Sequence, residues 1–503
     1  MREKYESLPL VQLKELAKVR GLKGTSTMKK AELVEAMLAE DERLKKEEEA
    51  KAAEQKQESA TETVRSEEPQ KQERSERPVR QERIYRPDRN YRGESAENVG
   101  VRSEAYTKER TFNPNNVAYD ESQYPKELDS GIEASGILEV MPDGYGFIRC
   151  ENYMPGENDV YVAPSQIRRF GLKTGDILKG NKRIKTQQEK FSALLFVKSI
   201  NGYTVEESSK RMAFEDMTPI FPDERIKMET PGCSIAMRVM DLVSPVGKGQ
   251  RGMIVSPPKA GKTTLLKEVA KSILRGNPKM HMLILLIDER PEEVTDIKEA
   301  IHGDNVEVIY STFDELPEHH KRVSEMVIER AKRLVEHKMD VVILLDSITR
   351  LTRAYNLVVP PSGRTLSGGL DPAALHMPKR FFGAARNMRE GGSLTILATA
   401  LVETGSKMDD VVYEEFKGTG NMEMVLDRRL SEKRIFPAID LAKSGTRRED
   451  LLLTPEEMEA INIMRKALNG LKPDEATDRI LDMFAHTRNN VEFVNMVKKN
   501  HFI

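Results

Sequence analysis

The feature that most constrains the fold is a series of short, unbroken apolar runs in the second half of the chain. These runs are GMIVS, MLILLI, VVILLD and SLTILATAL, and stretches with helical spacing separate them. Strands buried on both faces have continuous apolar sequences, whereas half-exposed strands alternate between apolar and polar residues. Residues 206–503 are therefore predicted to form an α/β domain, with a parallel sheet covered by helices.

The stretch SPPKAGKTT, residues 256–264, follows the first apolar run and leads into a helical pattern. Phosphate-binding loops have the form G-x-x-x-x-G-K-[ST] between a strand and a helix. Gly261 permits close approach, Lys262 supplies a positive charge and Thr263 a ligand for Mg²⁺. Ser256 replaces the first glycine, but that position mainly requires a small residue. The context favours a nucleotide site over a turn that happens to contain GKT.

Two other apolar runs end in carboxylates. Asp346 ends VVILLD, where a Walker B acid would hold Mg²⁺ through water, although it could instead cap the following helix. Asp288, Glu289 and Arg290 lie at the tip of MLILLIDER. Glu289 is the candidate general base for the water that attacks the γ-phosphate. A structural ion pair between Glu289 and Arg290 is the alternative.

The C-terminal portion contains isolated arginines, of which Arg350, Arg353, Arg434, Arg447 and Arg448 are candidates for a role in catalysis. Most arginines only solvate a surface. A P-loop enzyme that hydrolyses ATP at subunit interfaces, however, needs an arginine supplied by a neighbouring subunit. The flexible, basic segment SGTRRED could present one.

Upstream, residues 129–205 have the pattern of a small all-β domain. ILEVM, the turn PDG and YGFIR predict a hairpin, and a strand puts Tyr145 and Phe147 on one face. Glycines and arginines surround these rings: Gly144, Gly146, Arg149, Arg168 and Arg169. Open rings beside guanidinium groups favour single-stranded nucleic acid, although a core hairpin is the alternative. DGYGFI also resembles the aromatic strand of cold-shock domains, which are OB-fold barrels.

The first part of the chain has a different composition. Residues 1–45 show helical spacing of leucines, typical of a small helical unit that packs on itself or presents a helix N-terminus to phosphates. Residues 46–128 are charged, Gln-rich and almost free of large apolar groups, so disorder is predicted. Within them RIYRPDRNYRG interleaves Arg with Tyr, which suits either RNA or a solvated linker.

Composition excludes several classes of protein. The net charge of -2 means that nucleic-acid binding must rest on local patches, and two cysteines are too few for a disulfide framework or a cysteine zinc site. No window approaches the length of a membrane helix, and MREKYESLPL lacks the apolar core of a signal peptide. A cytoplasmic protein is therefore expected.

Several uncommon strings recur in the order found in one family. SPPKAGKTT, LLIDERPEEVTD, ILLDSITRLTRAYN, HMPKRFFGAARN, TGSKMDDVVYEEFKGTGNME and EKRIFPAID resemble the Rho family of bacterial transcription termination factors, as do YGFIR and YVAPSQIRRF. The resemblance covers residues 1–45 loosely and 131–503 nearly continuously. It implies a homohexameric ring of RecA-like motors, namely an RNA-stimulated ATPase and 5′-to-3′ translocase or helicase. Such a ring loads on C-rich single-stranded RNA and releases it from RNA polymerase.

The resemblance also implies roles for individual residues. The residues implied for ATP and Mg²⁺ are Gly247, Lys248, Gly249, Gln250, Arg251, Gly252, Lys259, Ala260, Gly261, Lys262, Thr263, Thr264, Arg290 and Phe436. Asp346 is implied as the Walker B acid and metal ligand, and Glu289 as the catalytic carboxylate. Arg447 is implied as the arginine finger and Arg434 as a second interface arginine. Those implied for the primary RNA site are Gly144, Tyr145, Gly146, Phe147, Ile148, Arg149, Asp159, Val160, Tyr161, Glu189, Lys190 and Phe191. Those implied for the pore are Thr365, Leu366, Ser367, Gly368, Gly369 and Lys407.

The sequence departs from the family pattern in three places. It carries the long insertion at 46–128, it has Ser192 where an aromatic residue is common, and Ser256 stands where alanine is usual. The second departure leaves the base preference of the RNA site open. Two rival functions also remain: a rotary ATP synthase subunit, which shares the RecA-like core, and an RNA-sequestering protein dominated by its insertion.

Overall fold

The computed structural model describes residues 126–186, 188–470 and 473–499, together with Lys30, Val34 and Ala36. The chain separates into two compact units, residues 1–107 and 108–503, and the following description concerns the second. The predicted helical unit at 1–45 and disordered insertion at 46–128 lie almost wholly outside the described residues. Among the described residues, no helix is both long and apolar enough to cross a membrane.

Five strands form a closed barrel at the start of the second unit. They are β1 (Asp129–Val140), β2 (Gly146–Arg149), β3 (Val160–Val162), β4 (Ile177–Arg183) and β5 (Ser192–Ile200), with helix α1 (Pro164–Phe170) between β3 and β4. Around the barrel the order is β1-β2-β3-β5-β4. Its core contains fully buried aliphatic side chains such as Leu138, Ile148 and Val197. The predicted hairpin is β1 paired with β2, with Glu139 opposite Phe147.

The remainder of the unit is an α/β domain. Its strands are β6 (Pro219–Ile220), β7 (Arg251–Ser256), β8 (His281–Glu289), β9 (Val306–Thr312), β10 (Asp340–Asp346), β11 (Arg386–Met388), β12 (Ser393–Leu401), β13 (Met422–Val425) and β14 (Gly445–Thr446). Its helices, preceded by α2 (Val205–Ser209), are α3 (Ile235–Val243), α4 (Lys262–Gly276), α5 (Pro291–Ala300), α6 (Pro317–Glu336), α7 (Ile348–Val358), α8 (Pro372–Gly383), α9 (Lys407–Lys417), α10 (Arg428–Glu432), α11 (Pro455–Gly470), α12 (Pro473–Ala485) and α13 (Asn490–Lys499).

The central sheet confirms the predicted parallel α/β arrangement. Its strand order is β14-β13-β7-β12-β10-β8-β9, and all neighbouring pairs from β13 to β9 are parallel. The apolar runs are buried because helices cover the sheet; Leu283 to Ile287 of β8, for example, are at most 1% exposed. Since β7, β8 and β10 run in one direction, the residues at their carboxyl ends meet at one edge of the sheet.

The barrel is joined to the α/β domain along the free edge of the sheet. Asn152, in the loop between β2 and β3, pairs its side-chain amide with the backbone of Tyr310 in β9, as the backbone of a neighbouring strand would. Its Nδ2 donates to Tyr310 O (2.7 Å) and its Oδ1 accepts from Tyr310 N (3.1 Å). The neighbouring Tyr153 is buried, and its hydroxyl donates to Glu307 of the same strand, β9. These contacts cover part of an edge that would otherwise leave backbone groups unpaired.

A buried ion network forms a second junction. Arg211 binds both carboxylate oxygens of Asp176, at 2.6 and 2.7 Å, and its Nε lies 3.0 Å from Oε2 of Glu336. Lys173 of the barrel also reaches Glu336, at 3.1 Å. Buried charges are tolerated when they are paired and hydrogen-bonded. The barrel and α6 are thus held together by charged groups far apart in sequence.

Candidate nucleotide and RNA sites

The P-loop begins where β7 ends and finishes at the N-terminus of α4. Ser256, in the place of the first glycine, is fully buried, and its hydroxyl donates to Pro257 O (2.8 Å), so the serine fits without an unpaired polar group. Gly261 caps the helix with φ of 91°, a conformation that favours glycine. The first backbone N–H groups of α4 are therefore available to bind an anion.

Lys262 lies between the two predicted carboxylates. Its Nζ is 2.5 Å from Asp346 Oδ1 and 3.0 Å from Glu289 Oε1. Both carboxylates are buried, and Thr399 of β12 donates to Asp346 Oδ1 at 2.7 Å. The ends of β7, β8 and β10 thus bring together a lysine, a candidate metal ligand and a candidate base.

The structure also bears on the alternative roles of Asp346, as a helix cap, and of Glu289, as the ion-pair partner of Arg290. The cap of α7 is Ser347, whose hydroxyl accepts from Arg350 N, so Asp346 does not cap that helix. Glu289 is paired with Lys262, and Arg350 lies 3.6 Å from its second oxygen. Arg290 is instead 67% exposed and 4.0 Å from Glu293. Asp346 is therefore not a helix cap, and Glu289 does not form an ion pair with Arg290.

The burial and the charges around Glu289 suit a general base in a site closed to water. Burial, together with the neighbouring Asp346 carboxylate, raises the pKa of Glu289 above its usual value. Burial alone would lower the pKa of Lys262, but the adjacent Asp346 and Glu289 carboxylates outweigh burial and raise it. Lys262 therefore remains charged, while Glu289 is more basic than an exposed carboxylate. A raised carboxyl pKa improves proton abstraction near neutral pH.

Protein atoms supply only part of a coordination shell for a divalent cation at this site. In the described part of the chain, no group of three or more His, Cys, Asp or Glu side chains could hold a metal. Thr263 Oγ1, which is 3.5 Å from Glu293 Oε2, and the Asp346 carboxylate are the nearby oxygen donors. Mg²⁺ commonly uses one or two protein oxygens and completes its shell with water and phosphate oxygens. These residues suit Mg²⁺ that arrives with a nucleotide.

A cavity of about 400 Å³ opens beside the P-loop. Ala260, Gly261 and Leu265 form one side, and Leu426 and Phe436 lie among the other lining residues. The ring of Phe436 is 52% exposed. A half-exposed ring against an apolar cavity can stack on a nucleobase while the P-loop holds the phosphates.

The segment 247–252 is placed away from this cavity. Lys248 forms ion pairs with Glu224 (2.5 Å) and with Asp340 (2.8 Å), the first residue of β10, whereas Asp346 ends the same strand at the nucleotide site. Gln250 is 1% exposed and bonds to Asn421. Residues 247–252 therefore lie at the amino ends of the strands, away from Lys262, and their implied contact with ATP stays a prediction.

The two interface candidates also lie outside the P-loop cavity. Arg447 is exposed and lines a different cavity of about 340 Å³, together with Glu423, Lys443 and Arg465. Arg434 is exposed and follows α10, whose Ser431 donates to Lys259 O of the P-loop (3.0 Å). Neither arginine is among the residues that surround Lys262 in the described structure.

Sequence reasoning missed residues whose roles depend on packing. Thr399 supports Asp346, and Ser234 and Glu268 line the cavity beside the P-loop, where Ser234 donates a hydrogen bond of 2.6 Å to Glu268. Thr399 lies within a buried strand, and Ser234 precedes a helix as an ordinary cap would. The sequence carried no signal that would have distinguished these residues from structural ones.

On the barrel, four aromatic rings form a cluster that we call the aromatic platform: Tyr145, Phe147, Tyr161 and Phe191. The ring centroids of Phe147 and Phe191 are 5.1 Å apart, and those of Tyr145 and Tyr161 are 5.8 Å apart. All four side chains are partly exposed. Lys190 lies 5.3 Å from the centroid of Phe191. Exposed rings beside a cation can stack on bases and attract phosphates.

Four residues of the predicted RNA site have buried side chains: Ile148, Arg149, Asp159 and Val160. Ile148 and Val160 are fully buried in the barrel core, because alternate residues of β2 and β3 point inward, so their side chains do not contribute to the exposed face that carries the platform. The sequence predicts that Arg149 flanks the open aromatic surface. It is only 6% exposed and is paired with Glu139 and Asp159. Its guanidinium carbon lies 4.8 Å from the centroid of the Phe147 ring, so it supports the platform from the side.

Glu189 is partly exposed at the margin of the platform. It is paired with Arg183 and accepts from Thr186 N at 3.0 Å. The Thr186 backbone N–H, with help from Arg183, lowers the pKa of this carboxyl. An ionised carboxylate accepts hydrogen bonds only, so here it can accept from the amino group of a base.

The two predicted pore segments lie against each other. Gly368 has φ of 78°, and a Cβ there would be 2.4 Å from Met408 N and 2.7 Å from Lys407 C. The loop 365–369 therefore packs on the first turn of α9, which begins at Lys407. Lys407, Thr365 and Gly369 are exposed. The fold thus presents a flexible cation beside exposed loop residues.

Comparison with known proteins gives three family matches. Residues 134–206 match the Rho termination factor RNA-binding domain, residues 236–446 the nucleotide-binding domain of the ATP synthase alpha/beta family, and residues 4–41 the Rho termination factor N-terminal domain. Among solved structures, a type III secretion ATPase has a TM-score of 0.49 at 20% identity, covering 63% of this chain and 93% of that chain, too slight a likeness to carry an argument.

Curated relatives are similar over most of their length. "Transcription termination factor Rho" of Pseudomonas aeruginosa is 56% identical over 74% of this chain and 90% of the relative. The protein of the same name from Bacillus subtilis is 55% identical over 74% of this chain and 86% of the relative. The barrel with its aromatic platform and the P-loop domain agree with these matches. The chain belongs to the transcription termination factor Rho family.

Proposed function

We propose that this protein is an RNA-dependent ATPase that terminates transcription. The observation that carries the proposal is the presence, in one compact unit, of an aromatic platform on a barrel and a P-loop lysine held between two buried carboxylates. Neither feature alone distinguishes this function from others. Family membership joins them, because the similar proteins are named transcription termination factors.

In the proposed mechanism, ATP is bound by the P-loop and by the cavity that Phe436 lines. Lys262 leaves the carboxylates and contacts the β- and γ-phosphates, while Gly261 and the following N–H groups surround them. Glu289 accepts a proton from the attacking water, because its buried position makes it basic. Thr263 and Asp346 would hold Mg²⁺, which neutralises charge that develops on the phosphates.

RNA takes part at two places in this proposal. Single-stranded RNA first stacks on the aromatic platform, and a preference for C-rich RNA follows from Glu189, whose carboxylate can accept a hydrogen bond from the amino group of cytosine. The strand then contacts Lys407 and the loop 365–369. Movement of these segments during hydrolysis translocates RNA in the 5′-to-3′ direction and releases it from RNA polymerase.

The assembly in this proposal is a homohexamer. Arg447 lies away from its own nucleotide cavity, so it serves as an arginine finger for the neighbouring subunit, with Arg434 as a second interface residue. The proposed domains are 1–45, 46–128, 129–205 and 206–503, where the third binds RNA and the fourth hydrolyses ATP. A protein that acts on nascent bacterial transcripts works in the cytoplasm.

The decisive experiment is steady-state ATPase measured with and without poly(C). We expect turnover to be low without RNA and to rise severalfold or more when poly(C) is added. A rotary ATP synthase subunit would hydrolyse ATP without regard to RNA. Turnover that is the same with every RNA offered would overturn the proposal.

Replacing both Tyr145 and Phe147 with alanine should weaken the binding of single-stranded RNA. Each stacked base contributes about 1–3 kcal/mol, so a loss of a few kcal/mol at most is expected. The measurement is fluorescence anisotropy with labelled oligo(C) at fixed salt, because phosphate contacts depend strongly on ionic strength. Tyr203→Ala, an aromatic change outside the platform, is the control. Equal affinity in the double variant and the wild type would remove the platform from the proposal.

A further inference from the structure

The aromatic platform has a charged support that continues into the α/β domain. Phe147 and Arg149 lie two residues apart on β2, on one face of the strand, and the guanidinium carbon of Arg149 lies 4.8 Å from the centroid of the Phe147 ring. Arg149 Nε donates to Glu139 Oε2 at 2.7 Å, and Nη1 donates to Asp159. Since Arg149 is only 6% exposed, these two carboxylates fix its orientation.

Glu139 is held in turn by a residue of the other domain. Arg322, on α6, uses one nitrogen, Nη2, to donate to both oxygens of Glu139, at 2.8 and 2.7 Å. The side chain of Glu139 is 16% exposed, so a single carboxylate largely removed from water joins two guanidinium groups. A continuous series of contacts therefore runs from Arg322 through Glu139 and Arg149 to Phe147.

A second contact holds the same part of the barrel. The loop between β2 and β3, the strands that carry Phe147 and Tyr161, is fixed to β9 by Asn152 and Tyr153. Strand β9 ends at Thr312, and α6 begins five residues later at Pro317. Arg322 and the Asn152 contact thus fix the platform strands to one connected part of the α/β domain.

We infer that Arg322 is a positioning residue for RNA binding. By holding Glu139 it keeps Arg149 against the ring of Phe147, so the geometry of the aromatic platform is set jointly by the barrel and by α6. The inference rests on the proposed function in one respect, namely that the platform binds RNA. It adds that a residue of the ATPase domain, which does not touch RNA, contributes to RNA affinity.

The test uses the full-length, assembled protein and fluorescence anisotropy with labelled oligo(C). Arg322→Gln should weaken binding about threefold to fivefold, the range expected from a partly exposed ion pair. Arg322→Lys should restore most of the affinity, because one nitrogen makes both contacts. Lys173→Gln is the matched control: it removes another ion pair between barrel and α6, with Glu336 at 3.1 Å, but one that has no link to the platform.

A double-mutant cycle separates positioning from simple domain attachment. If Arg322 acts through Phe147, then Arg322→Gln should cost little further affinity in a Phe147→Ala background, because coupled sites are not additive. Additive losses, or an equal loss in Lys173→Gln, would overturn the inference. The inference would also be overturned if Arg322→Gln bound RNA with wild-type affinity while Phe147→Ala bound it more weakly. That result would leave the proposed function intact. Wild-type affinity in Phe147→Ala would instead contradict the RNA-binding role of the platform, and the inference with it.

Discussion

Replacing Lys262 with alanine is expected to abolish ATP hydrolysis. The substitution removes the cation that lies 2.5 Å from Asp346 and 3.0 Å from Glu289 and that would contact the transferred phosphate. Loss of one hydrogen-bond donor aimed at the charge of a transition state typically costs about 10²–10³ in rate. Loss of phosphate binding adds to this, so turnover below about a thousandth of the wild-type rate is expected in a steady-state ATPase assay with saturating RNA.

The matched control for this change is Lys267→Ala. Lys267 lies on the same helix, α4, but its Nζ pairs with Asp296 at the surface (2.7 Å). It should retain near-normal turnover. Oligo(C) binding to the platform should survive in Lys262→Ala, which would show that the protein is folded. Near-normal hydrolysis by Lys262→Ala would mean that the P-loop assignment is wrong.

Replacing Arg447 with alanine should lower turnover by about 10³-fold or more, the effect of removing an arginine finger. The physical reason is its position. Arg447 is exposed and follows β14 at the edge of the sheet, beside a cavity separate from that of the P-loop. Its charge can stabilise the transferred phosphate only when a neighbouring subunit brings the two surfaces together. The measurement is kcat at saturating ATP and RNA.

The adjacent Arg448→Ala is the control, because Arg448 is exposed and paired with Asp450 at 3.0 Å. Mixing gives a sharper test. In a ring that contains both Lys262→Ala and Arg447→Ala subunits, some interfaces combine an intact P-loop with an intact Arg447. Such mixtures should recover activity that neither variant has alone. If mixing recovered nothing, or if Arg447→Ala kept the wild-type turnover, the role in trans would be excluded.

The fold class was readable from local pattern. Continuous apolar runs predict strands buried on both faces, and the carboxyl ends of such strands meet at one edge. For this reason the sequence alone predicts that Lys262, Glu289 and Asp346 belong to one site. The alternation of Tyr145 and Phe147 likewise predicted two rings on one face of a strand. In each case the signal depends on backbone periodicity, which a short stretch of sequence records.

Other parts of the sites were decided only by tertiary packing. Arg149 looks like a surface cation in YGFIR, but packing buries it between Glu139 and Asp159. The glycine-rich segment 247–252 precedes the P-loop closely in sequence, yet the length of β7 carries it to the opposite edge of the sheet. The contact between Glu139 and Arg322 joins residues of different domains. The sequence determines where strands end and which chemical groups they carry, because these properties repeat locally. Partnerships between distant side chains depend on how domains pack, which no local pattern records.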